Sequence, residues 1–362
     1  MDFGESDMHV EQEGNSDMVF NLPVSGQYKK KPLMLANVVG DKRQKHLGSL
    51  SIRGKVFNKF RTEHYVPDLS NKTNLINLAK IAYNAYSTPI KEDWYNLTSD
   101  YDLERSFGWE NDGVRGHVFS SHDNSTLILG FKGTSAAIVS GDSPTSGNDK
   151  LNDNRMFSCC CARVDPTWYT VCDCYKGNST CGNMCVEKAM DGRDMYFDTA
   201  QAILFAVLDQ YPMVRNIWLT GHSLGGGLAA MLGLAFDLPT VTFQSPGDLL
   251  AAQRLHLPLP EEDKLKDLPI WHFGHTADPI YMGKCNGVLS SCYIAGYALE
   301  TGCHTGNACI YDTVKDFKWS PDIRRHRLGV VIDEVLSVYN DTAKCMPQTN
   351  CTDCSTWNYL EN

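Results

Sequence analysis

The run Gly221-His222-Ser223-Leu224-Gly225 restricts the possible folds of this chain more than any other feature. It follows the short apolar stretch 217–220 and precedes a run of small and apolar residues at 226–235. This order predicts a strand that turns sharply into a helix and presents a serine at the turn, with glycines where the two backbones cross closely. A phosphate-binding turn is the alternative, but the sequence around 221–227 lacks the glycine and lysine spacings of phosphate-binding loops.

A serine hydroxyl is a weak nucleophile near neutral pH and needs a histidine base that a carboxylate orients. In α/β-hydrolases the acid and then the histidine follow the serine along the chain. Asp278 directly follows a predicted strand at 269–274, and we predict that it is the acid. Asp248, after Ser245-Pro-Gly, is the second candidate, and an Asp-Pro turn without a catalytic role is the structural alternative for Asp278.

Two histidines lie beyond Asp278, namely His304 and His326. His304 stands in a segment rich in cysteine and glycine, which favours a loop residue. His326 precedes a predicted helix at 328–339, and a loop-to-helix junction suits a base that reaches into a site. The neighbouring Arg325 and Arg327 would disfavour its protonation if they lie close. We therefore predict His326 as the base, with a solvated basic turn as the alternative.

Developing negative charge on a substrate oxygen needs two backbone N–H donors in such a site. Leu224, the residue after the serine, is predicted to supply the first donor at the start of a helix. Thr134 ends the segment Phe131-Lys132-Gly133-Thr134 at a strand terminus and is the candidate for the second. A plain strand-ending turn is the alternative for Thr134.

Helical and strand patterns alternate along the chain, which favours an α/β fold with a mainly parallel sheet covered on both faces. The pattern predicts helices near 73–86 and 194–211, a hairpin of 114–119 with 126–131, and strands at 240–246 and 269–274. We expect a polar lead at 1–50, a hydrolase domain at 51–340 with an insertion at 154–191, and a cysteine-containing tail at 341–362.

The segment 135–150 is rich in Ser, Gly, Asp and Pro, which predicts a long loop. Its small apolar patch at 136–139 would suit a lid over the active site, and an exposed linker into the insertion is an equal alternative.

The number and clustering of the cysteines indicate the redox environment in which the protein folds. The chain has 14, of which seven lie between 159 and 185 and seven between 285 and 354. Such density favours disulfides in an oxidising environment. If all are paired within the chain, two odd-numbered groups require at least one bridge between the insertion and the later region. A zinc site is the minor alternative, because Cys172-x-Cys174 and Cys181-x₃-Cys185 do not match the paired spacing of common structural sites.

Six Asn-x-Ser/Thr sequons also favour the secretory pathway. They begin at Asn71, Asn96, Asn124, Asn178, Asn340 and Asn350. Residues 1–19 are acidic and polar, and the early apolar run 32–39 is too short to span a bilayer. We therefore expect a truncated chain that lacks its leader, with a protein that is not exported as the alternative. The net charge of −10 disfavours a nucleic-acid partner.

The elbow at 221–226, together with Phe131-Lys132-Gly133-Thr134 and His275-Thr-Ala-Asp278-Pro-Ile280, resembles the class 3 lipases, the fungal triacylglycerol lipase family. The cysteine-rich run at 157–175 is similar to the insertion of the autophagy-related lipases of the fungal vacuole. The likeness covers residues 47–338.

This resemblance implies an α/β-hydrolase fold and a glycoprotein that degrades autophagic and multivesicular-body membranes in the vacuole lumen. It implies phospholipids such as phosphatidylserine as substrates, with triacylglycerols as a second candidate, and Ser223, Asp278 and His326 as the triad. Family members reach the vacuole through the endosomal route by an N-terminal signal anchor. We expect a lipid substrate at a membrane surface, no cofactor, no metal and no obligate protein partner. A soluble-ester or carbohydrate esterase on the same fold and a non-catalytic disulfide-rich interaction module are the alternatives.

Overall fold

The structure is a computed structural model that describes most of the chain after residue 64. The described residues are 65–110, 112–135, 146–163, 170–191, 194–214, 216–287 and 290–361. The predicted polar lead and the apolar patch at 136–139 lie outside them.

An eight-stranded sheet forms the centre of the described chain, in the order β1-β2-β3-β6-β7-β8-β9-β10. Its strands are β1 (Tyr101–Phe107), β2 (Gly116–Ser121), β3 (Thr126–Phe131), β6 (Asn216–His222), β7 (Thr240–Phe243), β8 (Ile270–His275), β9 (Asn307–Tyr311) and β10 (Cys345–Met346). The five strands from β3 to β9 pair in parallel, whereas β1, β2 and β10 pair antiparallel at the edges. This is the predicted α/β-hydrolase fold, and the predicted hairpin is the pair β2 and β3.

Nine α-helices precede, connect or follow the strands in the described part of the chain. They are α1 (Lys72–Asn84), α2 (Ser146–Met156), α3 (Asn183–Met190), α4 (Tyr196–Gln210), α5 (Leu224–Phe236), α6 (Leu249–Arg254), α7 (Ser291–Ala295), α8 (Thr313–Asp316) and α9 (Leu328–Val330). Two 3₁₀ helices span Glu262–Asp267 and Ile323–His326. The helices predicted near 73–86 and 194–211 are α1 and α4.

Two predictions differ from the structure in detail. The predicted loop 135–150 already contains the first turn of α2. The polar sequence of α2 has no apolar periodicity, and the helix is instead stabilised by buried polar partners: Asn152 Oδ1, for example, accepts from the Tyr196 N–H at 2.7 Å. The predicted helix 328–339 begins where expected, but after α9 it continues as a π-helix, Val331–Leu336.

The core lies on both faces of the sheet because side chains alternate along a strand. On β3, Leu127, Leu129 and Phe131 face a cluster formed with α4 and α5. Ile128 faces the opposite cluster, where α1 and the π-helix cover the sheet. All four side chains are at most 1% exposed, and burying each contributes about 1.5–3 kcal/mol. These two layers hold the carboxyl ends of the parallel strands in fixed relation to one another.

The insertion forms a second, three-stranded sheet in the order β11-β5-β4. Its strands are β4 (Tyr175–Gly177), β5 (Thr180–Gly182) and β11 (Asn358–Leu360), the last of which comes from the end of the described chain. Its buried cluster consists of four cysteines and Val186. Since so few aliphatic groups are buried there, disulfides hold the unit together, as predicted.

All fourteen cysteines lie in the described part of the chain and all are paired. The bridges are Cys159–Cys354, Cys160–Cys181, Cys161–Cys172, Cys174–Cys185, Cys285–Cys292, Cys303–Cys351 and Cys309–Cys345. Cys159–Cys354 is the predicted bridge between the insertion and the later region. The sulfurs of Cys161, Cys172 and Cys174 lie within 4.8 Å of one another. Each of them is consumed in a disulfide, however, which disfavours the zinc alternative.

The six sequon asparagines are all exposed in the structure. Asn71 also caps α1, where its side chain accepts from the backbone N–H of Thr73. Among the described helices, none has the length and apolar character needed to cross a membrane.

Candidate active site

Ser223 stands at the sharp turn between β6 and α5. Its backbone has φ 57° and ψ −131°, an unfavourable conformation for a residue with a side chain. The flanking glycines permit the turn: a Cβ on Gly221 would lie 2.3 Å from the carbonyl oxygen of Gly225, and one on Gly225 would lie 2.3 Å from that of Phe131. This is the geometry of a nucleophile elbow, as the sequence predicts.

Asp278 follows β8 and lies beside His326. The Nδ1–H of His326 donates to Asp278 Oδ2 at 2.7 Å, and Asp278 Oδ1 accepts from the Ile280 N–H at 2.9 Å. Burial acts to raise the pKa of Asp278, but the charge and the hydrogen bond of His326 outweigh it and hold this pKa below its ordinary value. Asp278 therefore remains a carboxylate that orients the ring.

Ser223 and His326 line one cavity of about 710 Å³. Because Nδ1 of His326 is bound to Asp278, its Nε2 is the nitrogen that remains for a proton transfer. In the described chain the Ser223 hydroxyl makes no hydrogen bond to this ring, and such bonds are often long before substrate binds. The structure thus brings together the three residues predicted as the triad.

The two alternative candidates lie elsewhere, in a fully buried polar cluster behind the sheet end. Asp248 accepts from the Thr305 N–H at 3.0 Å and lies 3.6 Å from His272 Nε2. His304 Nε2 lies 3.0 Å from the Ser245 carbonyl oxygen. Neither Asp248 nor His304 lines the cavity that holds Ser223. The structure therefore favours Asp278 and His326.

Thr134 follows β3 and lines the same cavity. The chain passes close to the elbow here, since a Cβ on Gly133 would lie 2.3 Å from the His222 carbonyl oxygen and 3.0 Å from Ser223 Cβ. Leu224 is the first residue of α5 and is buried. Both positions suit donors for the oxyanion, and their roles stay predictions.

A buried charged cluster beside Thr134 could not be anticipated from the sequence. Lys132 Nζ lies 3.1 Å from Asp149 Oδ2, and Tyr196 donates its hydroxyl to Asp149 Oδ1 at 3.0 Å. The Thr134 hydroxyl donates to Asp153. Asp149 and Asp153 belong to α2, and only Asp149 lies within the predicted loop 135–150. The helix has no apolar periodicity, so no periodic signal marks either aspartate as an interior residue.

Asp153 links protonation to stability. Burial raises its pKa from 3.8 to about 8. A carboxyl with a raised folded pKa stabilises the fold fully below the unfolded pKa, and this contribution disappears as pH rises towards 8. We compare the free energies of unfolding of the wild type and Asp153→Asn. We expect the wild-type value, relative to that of the variant, to fall by about 1.4 kcal/mol per pH unit between pH 5 and 7. Urea unfolding at several pH values, with the disulfides intact, measures this slope.

The exposed Asp209→Asn is the matched control, and its difference from the wild type should stay nearly constant over the same range. Parallel pH dependences for the wild type and Asp153→Asn would refute a raised pKa at Asp153.

The sheet topology and the elbow define an α/β-hydrolase. Within it, residues 160–241 match the family model described as Lipase (class 3). The chain is 49% identical over 300 residues to "Putative lipase ATG15" of Vanderwaltozyma polyspora, covering 82% of this chain and 53% of that protein. It is 48% identical over 299 residues to the protein of the same name from Saccharomyces cerevisiae, covering 81% and 57%.

The chain is thus similar to class 3 lipases within residues 160–241, and to the proteins of these two organisms over about four fifths of its own length. It spans about half the length of the curated relatives that it matches. Among solved structures it is similar to Lip2 lipase from Yarrowia lipolytica, with 20% identity and a TM-score of 0.36, covering 69% of this chain and 82% of that one.

Proposed function

We propose that the chain hydrolyses carboxylic esters of membrane lipids through an acyl-enzyme on Ser223. The observation that carries this proposal is the cavity in which the strained elbow serine and the Asp278-bound His326 lie together. Serine, histidine and aspartate in this arrangement perform acyl transfer on several unrelated folds.

Each residue has a defined step. His326 Nε2 takes the Ser223 proton as the oxygen attacks the ester carbonyl, and Asp278 stabilises the imidazolium that forms. We assign the stabilisation of the resulting oxyanion to the backbone N–H groups of Leu224 and Thr134. His326 then gives its proton to the leaving alcohol. Water, activated by the same histidine, hydrolyses the acyl-enzyme and releases the fatty acid.

The cavity walls support a lipid as the substrate. One part of the lining is apolar, with Ile280, Leu299, Leu328 and Val330, and suits an acyl chain. The other part carries charged side chains of both signs, among them Lys91, Asp93, Arg327 and Asp333, and suits a polar head group. We therefore place phospholipids such as phosphatidylserine first and triacylglycerols second.

The proposed setting is the breakdown of autophagic and multivesicular-body membranes in the vacuole. Seven disulfides and six exposed sequon asparagines support passage through the secretory and endosomal route as a glycoprotein. Resemblance to autophagy-related lipases supports the vacuole as the destination.

Treatment with an endoglycosidase should lower the apparent mass of the protein isolated from its host, and an unchanged mass would argue against glycosylation.

Purified, oxidised protein tests the substrate class directly. It is given phosphatidylserine liposomes, a triacylglycerol emulsion and a short soluble ester, with Ser223→Ala in parallel. We expect fatty-acid release from the liposomes by the wild type and none by the variant. Turnover of the soluble ester alone would favour a general esterase. No hydrolysis of any of the three substrates would favour a non-catalytic module.

A further inference from the structure

The 3₁₀ helix Ile323–His326, which carries the proposed base, is only partly covered: Ile323 packs at the edge of the core and Arg325 lies over the Trp319 ring. None of its four residues is buried. Two buried histidines instead donate to consecutive carbonyl oxygens of this segment. His275 Nε2 lies 3.1 Å from the Arg325 oxygen, and His222 Nε2 lies 2.8 Å from the His326 oxygen.

The direction of the His222 hydrogen bond fixes its tautomer. A carbonyl oxygen only accepts, so His222 Nε2 carries the proton. Burial lowers the pKa of His222 to about 3, with the nearby His326 acting in the same direction. The ring is therefore neutral, and its Nδ1 is an acceptor.

Tyr86 occupies that acceptor. Its hydroxyl lies 2.7 Å from His222 Nδ1, and burial raises the pKa of Tyr86 well above its ordinary value, so the hydroxyl stays a donor. A Cβ on Gly133 would lie 2.2 Å from the same oxygen. Tyr86 thus contacts the segment that leads to Thr134 and, through His222, the backbone of His326.

We propose that His222, aligned by Tyr86, is a positioning residue for the base His326. Asp278 holds the ring of His326 through Nδ1, while His222 holds its backbone through the carbonyl oxygen. The two imidazole rings also pack with centroids 4.6 Å apart. Held by Asp278 at the ring and by His222 at the backbone, the His326 ring keeps a fixed position relative to Ser223. The inference rests on the proposed function, because His222 acts only through His326.

The main test removes the donor and then restores it. In His222→Ala, the carbonyl of His326 loses its partner, and we expect kcat to fall about 10- to 100-fold with KM within about twofold, since small displacements of a catalytic group cost about this much. His222→Gln keeps an amide donor of similar reach and should recover at least half of that loss on a logarithmic scale. Tyr86→Phe, which removes only the alignment, should fall between the wild type and His222→Ala.

If His222 had a purely structural role, its replacement would lower stability, but kcat of the folded variants would not follow this order of loss, recovery and intermediate value. Rates are therefore measured on folded protein at a temperature below each melting point, together with the pH profile of kcat/KM. We expect the acidic limb of the profile to shift in His222→Ala, because the contact between His326 and Asp278 loosens. Labelling of Ser223 by a fluorophosphonate gives the same comparison without a lipid interface.

His272→Gln is the matched control. His272 is also buried and neutral, with burial lowering its pKa to about 4, but its Nδ1 contacts Thr242 and Ser245 outside the cavity. Its kcat should stay within about twofold of the wild type. Unchanged kcat and labelling in His222→Ala, or an equal loss in His272→Gln, would overturn the inference while leaving the proposed function intact. A wild type that neither turns over ester nor reacts with the probe would overturn both.

Discussion

With alanine in place of Ser223, we expect kcat for ester hydrolysis to fall by about 10⁴- to 10⁶-fold, the range typical of removing the nucleophile of a catalytic triad. The fold should survive, because the Ser223 side chain makes no hydrogen bond within the described chain and an alanine meets the same backbone conformation. Melting temperature and circular dichroism check the fold, and single-turnover assays on a soluble ester check the rate.

Ser245→Ala is the control, because Ser245 belongs to a second group of serine, histidine and aspartate side chains. Ser245 Oγ lies 3.1 Å from His272 Nδ1, and His272 Nε2 lies 3.6 Å from Asp248, so serine, histidine and aspartate meet here as well. All three are fully buried and lie outside the cavity. The variant should keep activity within about twofold of the wild type. Comparable activity in Ser223→Ala and the wild type would exclude the elbow as the site of chemistry.

Loss of the Cys159–Cys354 bridge should cost the largest amount of stability of any single disulfide. The bridge closes a segment of 195 residues, and loop-closure entropy for such a length corresponds to about 5 kcal/mol. It also holds β11 beside β5. We expect Cys159→Ser with Cys354→Ser to lower the free energy of unfolding by several kcal/mol, measured by chemical denaturation under oxidising conditions.

The short bridge Cys285–Cys292 gives the comparison. It spans seven residues, for which the same relation gives only about 2 kcal/mol. The corresponding double serine variant should therefore lose less stability. Complete reduction of the wild type should unfold the insertion, whose buried cluster is mostly cysteine. Equal stability of both variants and the wild type would show that packing, rather than the bridges, holds these segments.

Most of the site could be predicted from the sequence because its signals are local. A strand, a Gly-x-Ser-x-Gly turn and a small-residue helix specify the elbow within residues 217–235, and an aspartate directly after a parallel strand must lie at the same sheet edge. Local sequence does not separate Asp278 from Asp248, since Asp248 also follows a strand. Only the three-dimensional arrangement separates an acid beside the cavity from one enclosed among Thr305 and His272.

The supporting residues gave no such signal. Tyr86 comes 136 positions before His222, and neither one has a neighbour in the sequence that marks its partner. The interior position of Asp153 depends on a helix without apolar periodicity. The sequence constrains disulfide pairing only through parity, because fourteen cysteines allow very many connectivities and their spacing does not select among them.

The position of β11 has a consequence for the order in which the protein can be completed. Residues 358–360 pair with β5 near the middle of the chain, and Cys354 lies next to them in sequence. During synthesis, β4 and β5 are made long before this partner strand exists, and the Cys159 thiol stays beside Cys160 and Cys161 without its own partner. Neighbouring thiols exchange through mixed disulfides, so we expect pairing within the insertion to stay open to exchange until Cys354 has been made and can bind Cys159.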